Sequence, residues 1–312
     1  SYTGTDKQQG NIWLGELVDE HGVVTNTNVV QADTITLSTQ NGSIASFTGV
    51  QVIAGGLVQA ETDRGDIHFY GDVSTGGSVE SKVHTTGNIV YNDVSATNSA
   101  PGTVNNISAF TEDGSIEFAG QVEAENTIAA VTNNGSVTFG KATSLTDPEM
   151  TVVAGGSIVA ESKDGDVTFE GTASAGGVID ITATGGSIRL NNDITAVIDI
   201  TGAAVNGDIV GKNGADVKSG SRIEGGPNES GTIRFTAVQD DPEASVGNIW
   251  INGTIDSELD TVLSAKNGDI TVSGDISAGG DVNAKILDKT DGNIILDSNI
   301  KAGNEMFVET TG

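Results

Sequence analysis

One short unit constrains this chain more than anything else in it: a glycine followed two and four residues later by apolar side chains. In the run from Gly165 to Gly186, Val167 and Phe169 alternate with polar Asp166 and Thr168, which is the pattern of a strand with one apolar face. After Gly171, Ala173 and Ala175 share a second face, and after Gly176-Gly177 a third strand aligns Ile179, Ile181 and Ala183. Three short strands of one parity, broken by glycine, describe one turn of a coil.

The unit recurs along nearly the whole sequence. Ile12 and Leu14 follow Gly10, Ile67 and Phe69 follow Gly65, Ile89 and Tyr91 follow Gly87, and Ile116 and Phe118 follow Gly114. Val137 and Phe139, Ile188 and Leu190, Ile233 and Phe235, Ile249 and Ile251, Ile270 and Val272, and Ile294 and Leu296 continue it. Thirteen starts result when the degenerate Gly42 (Ile44, Ser46) and Gly207 (Ile209, Gly211) are included, and four of the twelve intervals are 21 residues. A fixed period in this range marks a solenoid. Its apolar spacing is two throughout, which disfavours helical and leucine-rich repeats. The expected fold is therefore all-β, a parallel β-helix of about 13 coils with a repeat of about 21 residues, each coil pairing with its neighbours at about 4.8 Å. A pair of β-sandwich domains is the alternative, but a sandwich does not need the same parity at the same offset thirteen times.

Organisation follows from where the period holds. Residues 1–41 form an irregular N-terminal β segment or the first coils, and residues 42–312 a continuous β-helix with loop insertions near 98–102, 146–150 and 225–242, where the four prolines stand. Thr310-Thr311-Gly312 matches Thr85-Thr86-Gly87, which leads into another strand. That match predicts an open last coil, and with it end-to-end self-association or continuation into a longer chain.

Composition narrows the function classes. The chain has 43 Gly, no Cys and a net charge of −29. Cysteine chemistry is thereby excluded, and nucleic-acid binding is disfavoured by repulsion of phosphates. No 20-residue apolar run suggests a membrane span.

The unit Gly114-Ser115-Ile116-Glu117-Phe118-Ala119-Gly120-Gln121-Val122-Glu123-Ala124, followed by Ile128 and Ala130, resembles the repeats of filamentous haemagglutinin-like large exoproteins and related autotransporter-type adhesins. The resemblance covers about Gly42 to Gly312 and implies a right-handed parallel β-helix, secretion to the bacterial surface and a role as an adhesin shaft. A host cell, a neighbouring cell or a polysaccharide would be the surface engaged.

Candidate sites are few. Arg64-Gly65-Asp66 is an integrin-type tripeptide whose Gly and Asp are ordinary repeat residues. Carboxylates flank corner glycines at Asp63 and Asp66, at Glu112 and Asp113, and at Asp164 and Asp166; stacked on adjacent coils they are candidate calcium ligands, although Asp-Gly is also common turn chemistry. Calcium is the only cofactor suggested. Polysaccharide-cleaving enzymes also use this fold and need clustered carboxylates with Arg, Lys or His. Asp240-Asp241 is the best acidic pair, with Arg234 nearby in sequence, but adjacent strand residues face opposite sides. His21, His68 and His84 belong to different coils and read as solvated surface groups. The expectation is a non-enzymatic, extracellular structural protein; the alternative is a carbohydrate-binding or polysaccharide-cleaving β-helix module.

Overall fold

A computed structural model describes residues 2–6, 10–18, 24–26, 29–97, 104–140, 150–212, 214–220, 231–239, 247–287 and 292–310. Every regular element among them is a β-strand. They form a parallel β-helix, divided into two compact units, Ser1–Gly155 and Gly156–Gly312.

In the N-terminal unit the first strands of successive coils are Ile12–Leu14, Ile44–Ser46, Ile67–Phe69, Ile89–Tyr91, Ile116–Phe118 and Val137–Phe139. They pair in parallel and in register, so that Ile12, Ile44, Ile67, Ile89, Ile116 and Val137 stack as one interior column. A second strand such as Val122–Ala124 and a third such as Ile128–Asn134 complete each coil. In the first two coils they merge into single long strands, Val29–Asn41 and Gln51–Arg64, paired in parallel with one register shift. Tyr2–Asp6 adds a parallel strand against Ile35–Thr39. The extra length of the first coil includes an antiparallel hairpin, Glu16–Val18 with Val24–Asn26.

The C-terminal unit repeats the plan with first strands Val167–Phe169, Ile188–Leu190, Ile209–Gly211, Ile249–Ile251, Ile270–Val272 and Ile294–Leu296. Each unit thus has six first strands among the described residues. Gly231 is the start that the count of thirteen misplaced. Ile233–Val238 pairs with the third strands Ile200–Val205 and Thr261–Lys266, so it closes the coil begun at Gly207 instead of opening another. Part of the stretch expected to be a loop near 225–242 is therefore ladder. The remainder, the segment 98–102 and residues 146–149 lie outside the described residues, as do Asp240, Asp241 and His21.

Parity is as the period requires: Ile116, Val167 and Ile270 are all fully buried. Each large aliphatic side chain so placed contributes roughly 1.5–3 kcal/mol. Four coils of the N-terminal unit stack Phe69, Tyr91, Phe118 and Phe139 face to face, at 5.4, 5.4 and 5.0 Å between centroids. The Tyr91 hydroxyl is buried and hydrogen-bonded to the Ser81 hydroxyl. Ser81 stands between Ala60 and Ala109 in its column, so the serine meets the phenol that Tyr91 brings inside. Desolvation by burial pushes the Tyr91 phenol above its ordinary pKa, against the Ser81 hydrogen bond.

The degenerate units are compensated by their neighbours. Ser46 sits where other coils carry an aromatic, fully buried, and its hydroxyl accepts from the Gly71 N–H at 3.3 Å. Gly211 is faced by the Ile251 side chain, 3.2 Å from where a Cβ would lie, and Gly202 by the Phe235 ring at 2.7 Å. At the first corner glycine is obligatory for two reasons. Gly87, Gly114 and Gly135 have φ of +151°, +153° and +146°, and a Cβ on any of them would lie 2.1 Å from the carbonyl oxygen of the preceding corner glycine.

Two substitutions one residue apart test the parity. Ile188→Asp buries an unpaired carboxylate between Val167 and Ile209 and should cost roughly 4 kcal/mol or more or abolish folding. Arg189→Gln, on the outward face, should change the thermal midpoint little. Equal midpoints for the two variants, followed by circular dichroism, would refute the inside-outside assignment.

Candidate functional site

The polar side chains that the sequence offers as candidate ligands lie mostly at coil corners. The residue after each starting glycine caps the same position one coil on. In the N-terminal unit the backbone N–H of Ser43 donates to Asn11 Oδ1 (2.8 Å), Asp66 to Ser43 Oγ (3.1 Å), Asn88 to Asp66 Oδ1 (2.8 Å), Ser115 to Asn88 Oδ1 (2.9 Å) and Ser136 to Ser115 Oγ (3.1 Å). In the C-terminal unit Ser187, Asp208, Asn248, Asp269 and Asn293 donate in the same way to Asp166, Ser187, Asp208, Asn248 and Asp269, at 2.7–3.1 Å. The second corner does likewise, Gln121 on Asp93 (2.7 Å) and Thr254 on Asp216 (2.8 Å). So does the third, Asp281 on Asp260 (2.8 Å) and Glu305 on Asp281 (3.0 Å). Each such bond satisfies an N–H at the bend, worth about 1 kcal/mol and more to a carboxylate.

This use governs the calcium candidates. Asp66 Oδ1 is committed to Asn88; Asp166 accepts from Ser187 through Oδ1 and pairs with Arg189 through Oδ2. The backbone carbonyl of Asp63 accepts from the Thr85 hydroxyl, and Asp63, Asp113 and Asp164 are exposed on the outer surface. Among the described residues no group of three or more His, Cys, Asp or Glu side chains converges as a metal site would. At the first corner the column spaces its carboxylates apart. In the C-terminal unit it reads Asp166, Ser187, Asp208, Asn248, Asp269, Asn293, with each carboxylate followed by a neutral acceptor. Two carboxylates about 4.8 Å apart would repel by roughly 1 kcal/mol even in water, and the corner needs an acceptor, not a charge.

Arg64-Gly65-Asp66 occupies a corner in the coil wall. Arg64 ends the strand Gln51–Arg64, opposite Thr86 and Asn41, and is exposed. Gly65 makes the bend at φ +124°, and Asp66 serves the ladder just described.

Among the described residues, one cluster of ionisable groups is not singled out by the sequence. It lies on the outward face of third strands in the N-terminal unit, in a groove lined by Gln59, Glu61, Glu80, Lys82, Ser108 and Phe110. Register places Glu61, Lys82 and Phe110 side by side on successive coils. His84 Nε2 pairs with Glu61, and Lys82 Nζ stands 5.8 Å from the Phe110 ring centroid. Glu61 and His84 are 39% and 34% exposed, so their pairing is worth no more than about 1 kcal/mol. The groove is a wet surface feature with a cation over an aromatic ring. His68 packs against Tyr70 on another face. The chain matches no family model, no curated protein and no solved structure.

Two measurements test the corner ladder. Asp208→Ala leaves the Asn248 N–H and Nδ2, now at 2.7 and 3.1 Å from Asp208 Oδ1, without their acceptor. It should lower stability to urea by roughly 1–2 kcal/mol, and Asp208→Asn should recover most of that; equal loss in both would mean the charge matters more than the acceptor. Asp275 accepts from the Ser298 hydroxyl (2.6 Å) and from Asn299 N–H (3.1 Å) and Nδ2 (3.2 Å). Those bonds, the Ser298 one foremost, hold its pKa below the usual carboxylate value. A depressed folded pKa stabilises above the unfolded value of about 3.9 and is lost as pH falls through the folded one. Ser298→Ala should therefore raise the Asp275 pKa, read from its carboxyl carbon by NMR, and an unchanged titration would contradict the assignment.

Proposed function

We propose that this protein is a non-enzymatic structural component: the β-helical shaft of a secreted bacterial surface adhesin, or a subunit of a surface fibre that grows by adding coils end to end. The observation that carries this reading is the commitment of polar side chains at all three corners to joining one coil to the next. A polysaccharide-cleaving groove would aim such carboxylates outward in pairs; here they are turned along the helix. The resemblance of the repeat to filamentous haemagglutinin-like exoproteins supports placement outside the cell. The absence of cysteine and the large negative charge are compatible with it.

The purified protein should be seen by electron microscopy as stiff rods and, when aligned, should diffract with an axial repeat of about 4.8 Å. Release of reducing sugars from an acidic polysaccharide by a monomer that forms no rods would overturn the proposal.

A further inference from the structure

Aromatic residues make up only 4% of the chain, and Phe69, Tyr91, Phe118 and Phe139 are buried in the interior ladder. Against that scarcity, the first three coils of the N-terminal unit place Trp13, Phe47 and Tyr70, with His68, on one outward face. We infer that this strip is a binding platform for the pyranose rings of an uncharged glycan.

The sequence builds the strip by register. Trp13, Ala45 and His68 occupy the same outward position on successive first strands. Phe47 and Tyr70 directly follow those strands in the second and third coils, and Phe47 N–H donates to the Leu14 carbonyl below at 3.2 Å. The corresponding residue of the first coil is Gly15, and Ala45 follows Trp13 in the column. Two small residues thus leave room for the Trp13 indole to stack on Phe47, with centroids 5.3 Å apart and planes at 25°. His68 stacks on Tyr70 at 3.5 Å and 24°. The rings at the two ends of the strip remain accessible, Trp13 43% and Tyr70 44% exposed.

Shape, size and charge select the ligand. Both pairs are nearly parallel, which makes a flat surface and not the box of rings that encloses a quaternary ammonium. A flat aromatic face is electron-rich and attracts the weakly positive C–H groups on the face of a sugar ring. Three coils span only about 10 Å. Above them the outward column runs through Val90 to Glu117 and Thr138, so the aromatic surface stops. That is far below the roughly 800 Å² per partner of a stable protein interface, but it accommodates one or two sugar rings. The net charge of −29 disfavours polyanionic glycans.

The chain has two tryptophans, Trp13 and Trp250, and Trp250 is 52% exposed on the C-terminal unit. Trp250→Phe therefore leaves Trp13 as the sole tryptophan reporter. Cellohexaose, chitohexaose and mannohexaose would each be titrated against that variant by fluorescence, with polygalacturonate and tetramethylammonium as comparisons. A saturable change in Trp13 emission with at least one neutral hexamer is expected, weakened about tenfold by Tyr70→Ala, with circular dichroism confirming that both proteins remain folded. No response to any of the three hexamers, equal binding by Tyr70→Ala, or a response to polygalacturonate or tetramethylammonium as strong as to the sugars would each overturn the inference.

Discussion

A backbone that stacks on itself at one strand spacing must satisfy its N–H groups at the corners as well as along the strands, because a buried or half-buried donor left unpaired costs as much as a lost hydrogen bond. In the straight segments the neighbouring coil supplies carbonyls. At the bend the carbonyls turn away, and the acceptor has to come from a short side chain standing on the coil below. Asp, Asn and Ser are the residues that reach, and all three are found doing so in the first-corner columns. Much of the acidic character of the chain is thus explained by geometry. At the first corner neutral acceptors separate the carboxylates, as in the alternation from Asp166 to Asn293, whereas at the third corner Asp260, Asp281 and Glu305 follow one another directly.

The interior obeys the same rule of neighbour compensation. Columns of large side chains, such as Ile12 to Val137, fill the interior evenly, and where one position in a column is small the void is filled from a neighbouring coil. Gly202 under Phe235 and Gly211 under Ile251 show volume shared between coils, not within one. Tyr91 and Ser81 show the same for polarity, since a phenol is tolerated in the aromatic ladder only because an interior hydroxyl answers it. Buried threonines answer backbone polarity in a related way: Thr62, Thr111 and Thr132 each donate to the carbonyl of their own coil's starting glycine, at 3.0, 2.7 and 2.7 Å.

This logic also shows how much was legible in the sequence. Parity and period reveal the β-helix, and Ile116, Val167 and Ile270 lie where a spacing of two puts them. The misplaced start at Gly231 had a visible warning. In the twelve units that open a coil the residue after the glycine is Asn, Ser or Asp, from Asn11 to Asn293, whereas Gly231 is followed by Thr232. A residue in that slot must reach up to an N–H one coil away, and β-branched threonine is not used there. The ladder itself was hidden because Asp-Gly and Asn-Gly pairs read equally well as turn chemistry or as calcium ligands. Only register shows that Asp66 and Asp166 point along the helix. The aromatic strip was hidden for another reason: Trp13, Phe47 and Tyr70 come from coils separated by 32 and 23 residues, and the lean of Trp13 over Gly15 and Ala45 is a packing outcome that no local pattern encodes.

Burial in this architecture is a property of neighbours and not of the coil that owns the side chain. Met306 and Val308 have inward parity and stand in register with Val282 and Ala284, yet they are 46% and 50% exposed where the residues beneath them are 0% and 1%. The same side-chain position thus draws about half of its burial from neighbouring windings, and stability accumulates through interfaces between coils. It follows that interior and corner positions are coupled along whole columns, while outward positions away from the corners are joined only by local pairs such as Glu61 with His84 and Lys82 over Phe110. A column such as Trp13, Ala45 and His68 can change without disturbing the ladders behind it. That freedom is what allows a scaffold so uniform inside to carry a recognition surface confined to three of its coils.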